Sequence, residues 1–217
     1  MTTSSTPTEA STGKSAAPLK LSLVQRTIKQ QTKLVPEKRA TVALAAAAVY
    51  LLDEVVQGAL EATRDDGKQK ISPRAINSAI NRDTELHAVG AQWLVRSGSA
   101  SPVRAARNRA GSADTTATEK TKSGSAAHEY GGAVRRIVKA HTAQASGPAL
   151  QVLSAIASSY VGGLADIAGE LANKVDRKTV TADDILGAVG VQLRGELKTQ
   201  TETRINDALS GLAAAKE

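Results

Sequence analysis

Two stretches of the chain carry apolar residues at helical spacing over an unusual length. In the first, Leu44, Ala48, Leu51, Leu52, Val55, Ala59 and Ala62 recur every three or four positions. In the second, Leu150, Leu153, Ala157, Tyr160, Leu164, Ala168, Leu171 and Val175 do the same. This spacing lines one face of a helix, so each stretch predicts an amphipathic helix of about 26 residues, roughly 40 Å long. Such a helix cannot cover its own apolar face within so short a segment. It requires a long partner crossing it.

The flanks of the two stretches match as well. Lys70 to Ile76 reads KISPRAI and Thr179 to Ile185 reads TVTADDI. A shift of 109 residues lays Ile71 on Val180, Ser72 on Thr181, Ile76 on Ile185, Ala79 on Ala188 and Ile80 on Val189. Both predict a short extended piece, a Ser or Thr N-cap and then a short amphipathic helix. Pro73 falls at the first helical position, where a missing N–H costs nothing. Asp184, three residues after Thr181, suits a capping box. A shorter basic amphipathic segment precedes each long helix, Leu21–Gln31 in one case and Ala133–His141 in the other. The order is short helix, loop, long helix, loop, short helix, given twice, which makes the chain a degenerate internal repeat.

Charge marks the boundaries between the repeats. Residues 1–103 hold 13 basic and 9 acidic side chains, residues 104–127 hold 5 and 2, and residues 128–217 hold 10 and 10. The middle stretch has no large apolar side chain, so it cannot bury enough surface to offset the entropy of ordering and is expected to be a flexible basic linker. Residues 1–18 share that bias and are expected to be a disordered tail. Two folded segments remain, 19–103 and 128–217.

Composition removes several functions. With no cysteine among 217 residues, disulfides, thiolate metal sites and cysteine nucleophiles are excluded. The aromatics are Trp93, Tyr50, Tyr130 and Tyr160, too few for stacking successive single-stranded bases. His87, His128 and His141 are scattered without metal-ligand spacing. No catalytic triad, phosphate-cradling glycine loop or carboxylate pair stands out, so neither an enzyme nor a cofactor is expected. The longest apolar run, 13 residues from Ala40 to Leu52, is shorter than the roughly 20 residues of a bilayer span, and the first 18 residues hold no apolar block. A soluble intracellular protein without a membrane partner is the expectation. The formal charge of +7 points instead to a polyanion.

The residues support a closer comparison. Tyr50 to Arg74, YLLDEVVQGALEATRDDGKQKISPR, resembles without a gap the end of the long helix and the second loop of the core histone H-two-A. Ala75 to Leu86 continues the likeness. The second half is similar to H-two-B, through Ile167–Glu170, the Arg177–Thr181 loop, and Arg194–Leu197 opening a C-terminal helix. The chain thus resembles a fused histone doublet, as found in some large DNA viruses, with related fusions in archaea. The resemblance implies an all-α protein in which two histone folds cross their long helices head to tail, with the linker setting the effective concentration of pairing.

It further implies a duplex-DNA surface on the loops and short-helix ends that reads phosphates and deformability rather than sequence. Carried over by position, that surface comprises Arg26 on the first helix, Lys38 and Arg39 in the first loop, and Lys68 and Lys70 in the second. In the second half it comprises Arg135, Arg136, Lys139, Arg177, Lys178 and Thr179. Lys70 stands where the family usually has a minor-groove arginine, and Arg177 keeps that identity. An acidic docking patch is implied at Glu54, Asp83, Glu85 and Glu196, thinned because Val49, Gln57 and Thr84 occupy positions that are usually acidic. Ala91–Val103 lies where the family docks a tail onto H-three–H-four. The implied partners are duplex DNA, H-three–H-four-like histones and histone chaperones, in the nucleus and chromatin, or in a host nucleus and virion. Two plainer readings stay open. Each basic residue also suits a solvated surface, and the acidic ones also suit helix caps. At the level of the whole chain, histone-fold pairs also serve as protein–protein modules of transcription complexes.

Overall fold

The computed structural model describes residues 19–95 and 129–214. The expected tail 1–18 and linker 104–127 lie outside the described residues, as do residues 96–103 of the expected docking segment. The first half runs α1 (Leu21–Thr32), β1 (Val35–Pro36), α2 (Lys38–Asp65), β2 (Lys70–Ile71), α3 (Pro73–Arg82), α4 (Thr84–Gly90) and a 3-10 turn (Ala91–Trp93). The second runs α5 (Gly131–Ala140), β3 (Gln144–Ala145), α6 (Gly147–Lys174), β4 (Thr179–Val180), α7 (Ala182–Gln192) and α8 (Gly195–Ala214).

The long helices α2 and α6 are 28 residues each and form the centre. Every residue of the expected α2 face is buried. On α6, Leu153, Ala157, Tyr160, Leu164 and Ala168 are buried, whereas Leu150 and Leu171 are only half-buried. Val175 departs from expectation and is 58% exposed. The helix ends at Lys174, and Asp176 turns the chain at φ 52°, so the helical period no longer aims Val175 at the core. By length and composition both long helices would suffice to cross a bilayer. In the fold, 56% and 61% of their most apolar windows are already buried against the rest of the chain.

The halves pack crosswise. α1 lies on α6 and α5 on α2, while α2 also touches α6, α7 and α8. The extended pieces pair in parallel across the halves, Val35 with Thr179 and Pro36 with Val180, then Lys70 with Gln144 and Ile71 with Ala145. Each half therefore sets the loop before its long helix beside the loop after the other's. Close crossing needs Gly169, because a Cβ there would lie 2.9 Å from Thr32 Cβ on α1.

Local signals act as expected. The Ser72 side chain accepts from the Ala75 N–H ahead of Pro73, and Thr181 with Asp184 completes a capping box. Ala91–Val95 opens the segment that the resemblance places against H-three–H-four, and here it lies on its own chain. Trp93 Nε1 donates to Ser159 Oγ at 3.1 Å, its ring meets Tyr160 edge-on at 6.2 Å, and Asn77 brackets the Val95 backbone at 2.7 and 3.0 Å. Burial holds the Tyr160 hydroxyl above the usual tyrosine range.

Candidate nucleic-acid interface

The strand bridges gather most of the expected basic residues into two clusters. At β1–β4, Val35 N–H donates to Lys178 O at 3.3 Å and Glu37 N–H to Val180 O at 3.0 Å. Arg177, Lys178 and Thr179 therefore sit beside the start of α2. Lys38 and Arg39, expected in the loop, are instead the first two residues of α2. Its N-cap, the exposed Glu37, makes no side-chain cap, so the first-turn N–H groups stay free beside two exposed cations, with the Glu37 carboxylate partly opposing an anion. At β2–β3, Lys70 is exposed opposite Gln144, and Ser146 N–H donates to Ile71 O at 3.0 Å. Arg135, Arg136 and Lys139 line the exposed face of α5, which leads into that bridge.

The cations differ in how firmly they are held. Arg177 donates through Nη2 to Asp184 Oδ1 at 2.6 Å and through Nη1 to Thr181 Oγ1 at 3.1 Å. The Asp184 side chain is 3% exposed and that of Arg177 40%, so the guanidinium is fixed from behind while part of it faces solvent. Lys68 pairs with Asp66 at 2.8 Å in the open, and this ion pair holds the Asp66 carboxyl below its ordinary range. Arg26 pairs with Glu129 across the halves, and Arg136 Nε donates to Gly132 O at 3.2 Å. The chain offered one local signal for Asp184 as anchor, its place in the turn after the Arg177 loop. Glu129, 103 residues from Arg26, gave none.

The expected acidic patch is largely occupied by helix ends. Asp83 Oδ1 accepts from the Glu85 and Leu86 N–H groups and caps α4. Glu85 accepts from Glu196 N–H at 2.9 Å and Leu197 N–H at 2.6 Å, spending both carboxylate oxygens on α8. The positive φ of Gly195, 61°, brings those N–H groups to Glu85. Glu196 itself is exposed. Glu54, Asp83 and Glu61, the last not anticipated, line a shallow hollow of about 250 Å³ together with Arg82, whose guanidinium pairs with Asp65 at 2.5 Å. Among the described residues no group of three or more His, Asp or Glu is placed to hold a metal ion.

Paired helix–strand–helix units with crosswise loops define the histone fold, and similarity to known proteins agrees. Residues 132–189 match the family described as histone-like transcription factor (CBF/NF-Y) and archaeal histone. The crystal structure of the histone from Methanopyrus kandleri superposes with a TM-score of 0.53 at 17% identity, covering 83% of this chain and 99% of that one. That coverage exceeds what either half alone could supply. In particular, one region of the chain is similar to histone H-two-A and another to histone H-two-B. It is similar to histone H-two-A of Encephalitozoon cuniculi, 42% identical over 80 residues, which is 37% of this chain and 62% of that protein. A second region is similar to histone H-two-B of the same organism, 44% identical over 61 residues, or 28% of this chain and 47% of that protein. The matched stretches span less than two thirds of either relative.

Proposed function

We propose that the chain is a structural DNA-packaging protein that binds duplex DNA without sequence preference and joins H-three–H-four-like histones in nucleosome-like particles. In this reading residues 19–103 and 128–217 pair within one molecule, joined by 104–127, and the protein works in chromatin, in a nucleus or a virion. The observation that carries it is the crosswise loop pairing, which sets Lys38 and Arg39 beside Arg177, Lys178 and Thr179 and gives a second cluster at Lys70. Two such clusters suit the phosphates of a curved duplex, neutralised without base contacts. Its role is electrostatic and geometric rather than catalytic. Salt dialysis of this chain with H-three–H-four-like histones and long DNA, followed by nuclease digestion, tests it. A discrete protected length is expected, and a smear would overturn the reading.

One observation favours a second reading. Arg26, Lys68 and Arg177 are all ion-paired within the chain, which lowers the charge free for phosphate. A histone-fold module whose main partner is protein fits that economy. Replacing Arg39, Lys70 and Arg177 together separates the two, since only the packaging reading requires loss of duplex binding with partner assembly intact.

A further inference from the structure

Beyond α4 the chain does not leave the surface at once. Gly90 ends the helix, Ala91–Trp93 make a 3-10 turn, and Leu94 extends at φ −61° and ψ 122°. Three side chains then hold this short segment. Asn77 of α3 answers both backbone groups of Val95, accepting from its N–H at 3.0 Å and donating to its carbonyl at 2.7 Å. On α6, Ser159 Oγ accepts from the Trp93 indole N–H, and Tyr160 meets the indole ring edge-on. The seat is cut to the indole, because a Cβ on Gly90 would lie 2.8 Å from Trp93 Cε3 and 3.2 Å from Ile80 Cγ2.

These holds are divided between the halves. Asn77 and Gly90 belong to the first and Ser159 and Tyr160 to the second, so Trp93 finds its seat only where α6 already crosses the first half. The segment is also held more lightly than what lies beneath it. Ala91 and Gln92 are exposed and Trp93, Leu94 and Val95 half-buried, whereas the apolar face of α2 is fully buried. Segments with few buried contacts open locally, at less cost than global unfolding. One group at the margin favours opening further. Gln192 Oε1 is buried without a hydrogen-bond partner among the described residues, and Gln192 shares a hollow of about 350 Å³ with Ala91 and Gln92. A buried acceptor left unpaired opposes the closed arrangement, and release of the segment lets water reach it.

We infer that Ala91–Val95 is a strap with two positions. It closes only on paired halves, with Trp93 as its latch, and it opens as a unit before the paired core unfolds. Closed, it holds the start of the segment beyond Val95 on the chain's own surface, so a partner that engages that segment works against the latch. None of the side chains that form the latch is charged, so salt that loosens phosphate contacts leaves the strap in place. The strap stands whether or not the chain packages DNA.

Trp93 is the only tryptophan of the chain, so its emission reports the strap alone. Urea titration of the full-length chain is followed by that emission, by acrylamide quenching and by helical circular dichroism. The emission should shift to the red at a lower urea concentration than the one at which the helical signal is lost, and raising salt alone should not shift it. Without urea, Asn77→Ala, Gly90→Ala and, from the other half, Ser159→Ala should each raise quenching about twofold or more while the helical spectrum stays unchanged. Coincident emission and helical transitions would make the segment part of the core and overturn the proposal. Quenching indifferent to Ser159→Ala would sink it as well, because the seat would then not depend on the second half. So would a rise in quenching that all three variants show only together with lost helix.

Discussion

At β4 the loop cation Arg177 is held from behind by Thr181 and by the buried carboxylate of Asp184. The equivalent position in the first half, 109 residues earlier, is Lys68, which reaches only the exposed Asp66, and Ala75 stands where Asp184 does. Thr181 caps α7 with a reciprocal acid, whereas Ser72 caps α3 alone. The two loops share a backbone course and each ends in a strand bridge of its own, so their difference lies in side-chain order. A fixed guanidinium keeps its remaining donors aimed and loses little freedom when it meets a phosphate. A solvated lysine must give up that freedom on binding. Glu85 of the first half is spent on the N-terminus of α8 in the other half. One acid stiffens a loop and the other ties the halves together.

The largest expected effect follows from removing the buried anchor. Asp184→Ala deletes a capping box and the charge-assisted bond from Arg177, and should cost about 2–3 kcal/mol in urea unfolding. Ser72→Ala should cost only about 1 kcal/mol. Equal losses would break the contrast between the loops. Gly195→Ala comes next. A side chain there suffers both the left-handed backbone and the Glu85 carboxylate, and about 2 kcal/mol should be lost. Glu85→Gln keeps an acceptor and should lose about half as much, which the same denaturation series reads.

Smaller effects should appear in DNA binding. Arg177→Lys keeps the charge but not the fork, so duplex affinity should fall about fivefold with the salt slope unchanged. Lys68→Arg should leave affinity within about twofold, since nothing behind it holds a guanidinium. Competition titrations at several salt concentrations check both, and matched responses would mean that anchoring does not matter.

The smallest effect concerns pH. Burial raises the Asp53 carboxyl, with the His141 contact opposing it. A carboxyl whose folded value lies above its unfolded one binds more protons when folded. Stability therefore falls as pH rises from the ordinary carboxylate value through the raised one. Asp53→Asn should flatten the urea midpoint across that window. An unchanged slope would mean that other carboxylates govern it.

Much of this architecture was legible along the chain. The long helices, expected at about 26 residues and found at 28, and the Ser72 and Thr181 caps follow from period and capping chemistry, which act over a few residues, while the helix opening at Arg194–Leu197 came from the resemblance. The 109-residue repeat likewise predicted that the loops would correspond. Reading failed where an outcome depended on partners far off. Lys38 and Arg39 were placed in a loop by the resemblance, and no capping side chain marks the start of α2 to correct it. For Asp83 and Glu85 the chain left a docking patch and helix caps both open, and the N–H groups that engage Glu85 lie 111 and 112 residues away.

The sequence by itself determined which faces are apolar, where the capped helices begin and that the plan occurs twice, because these are properties of neighbours along the chain. Only the tertiary structure decided which charges remain free. Arg26 meets Glu129, Asp53 meets His141 and Glu85 meets α8 through contacts that span the two halves. Such pairs form because crossing the long helices buries the apolar faces and leaves polar groups at the seams wherever the packing brings them. No local rule carries that information, since a side chain's partner across a seam depends on the course of both helices.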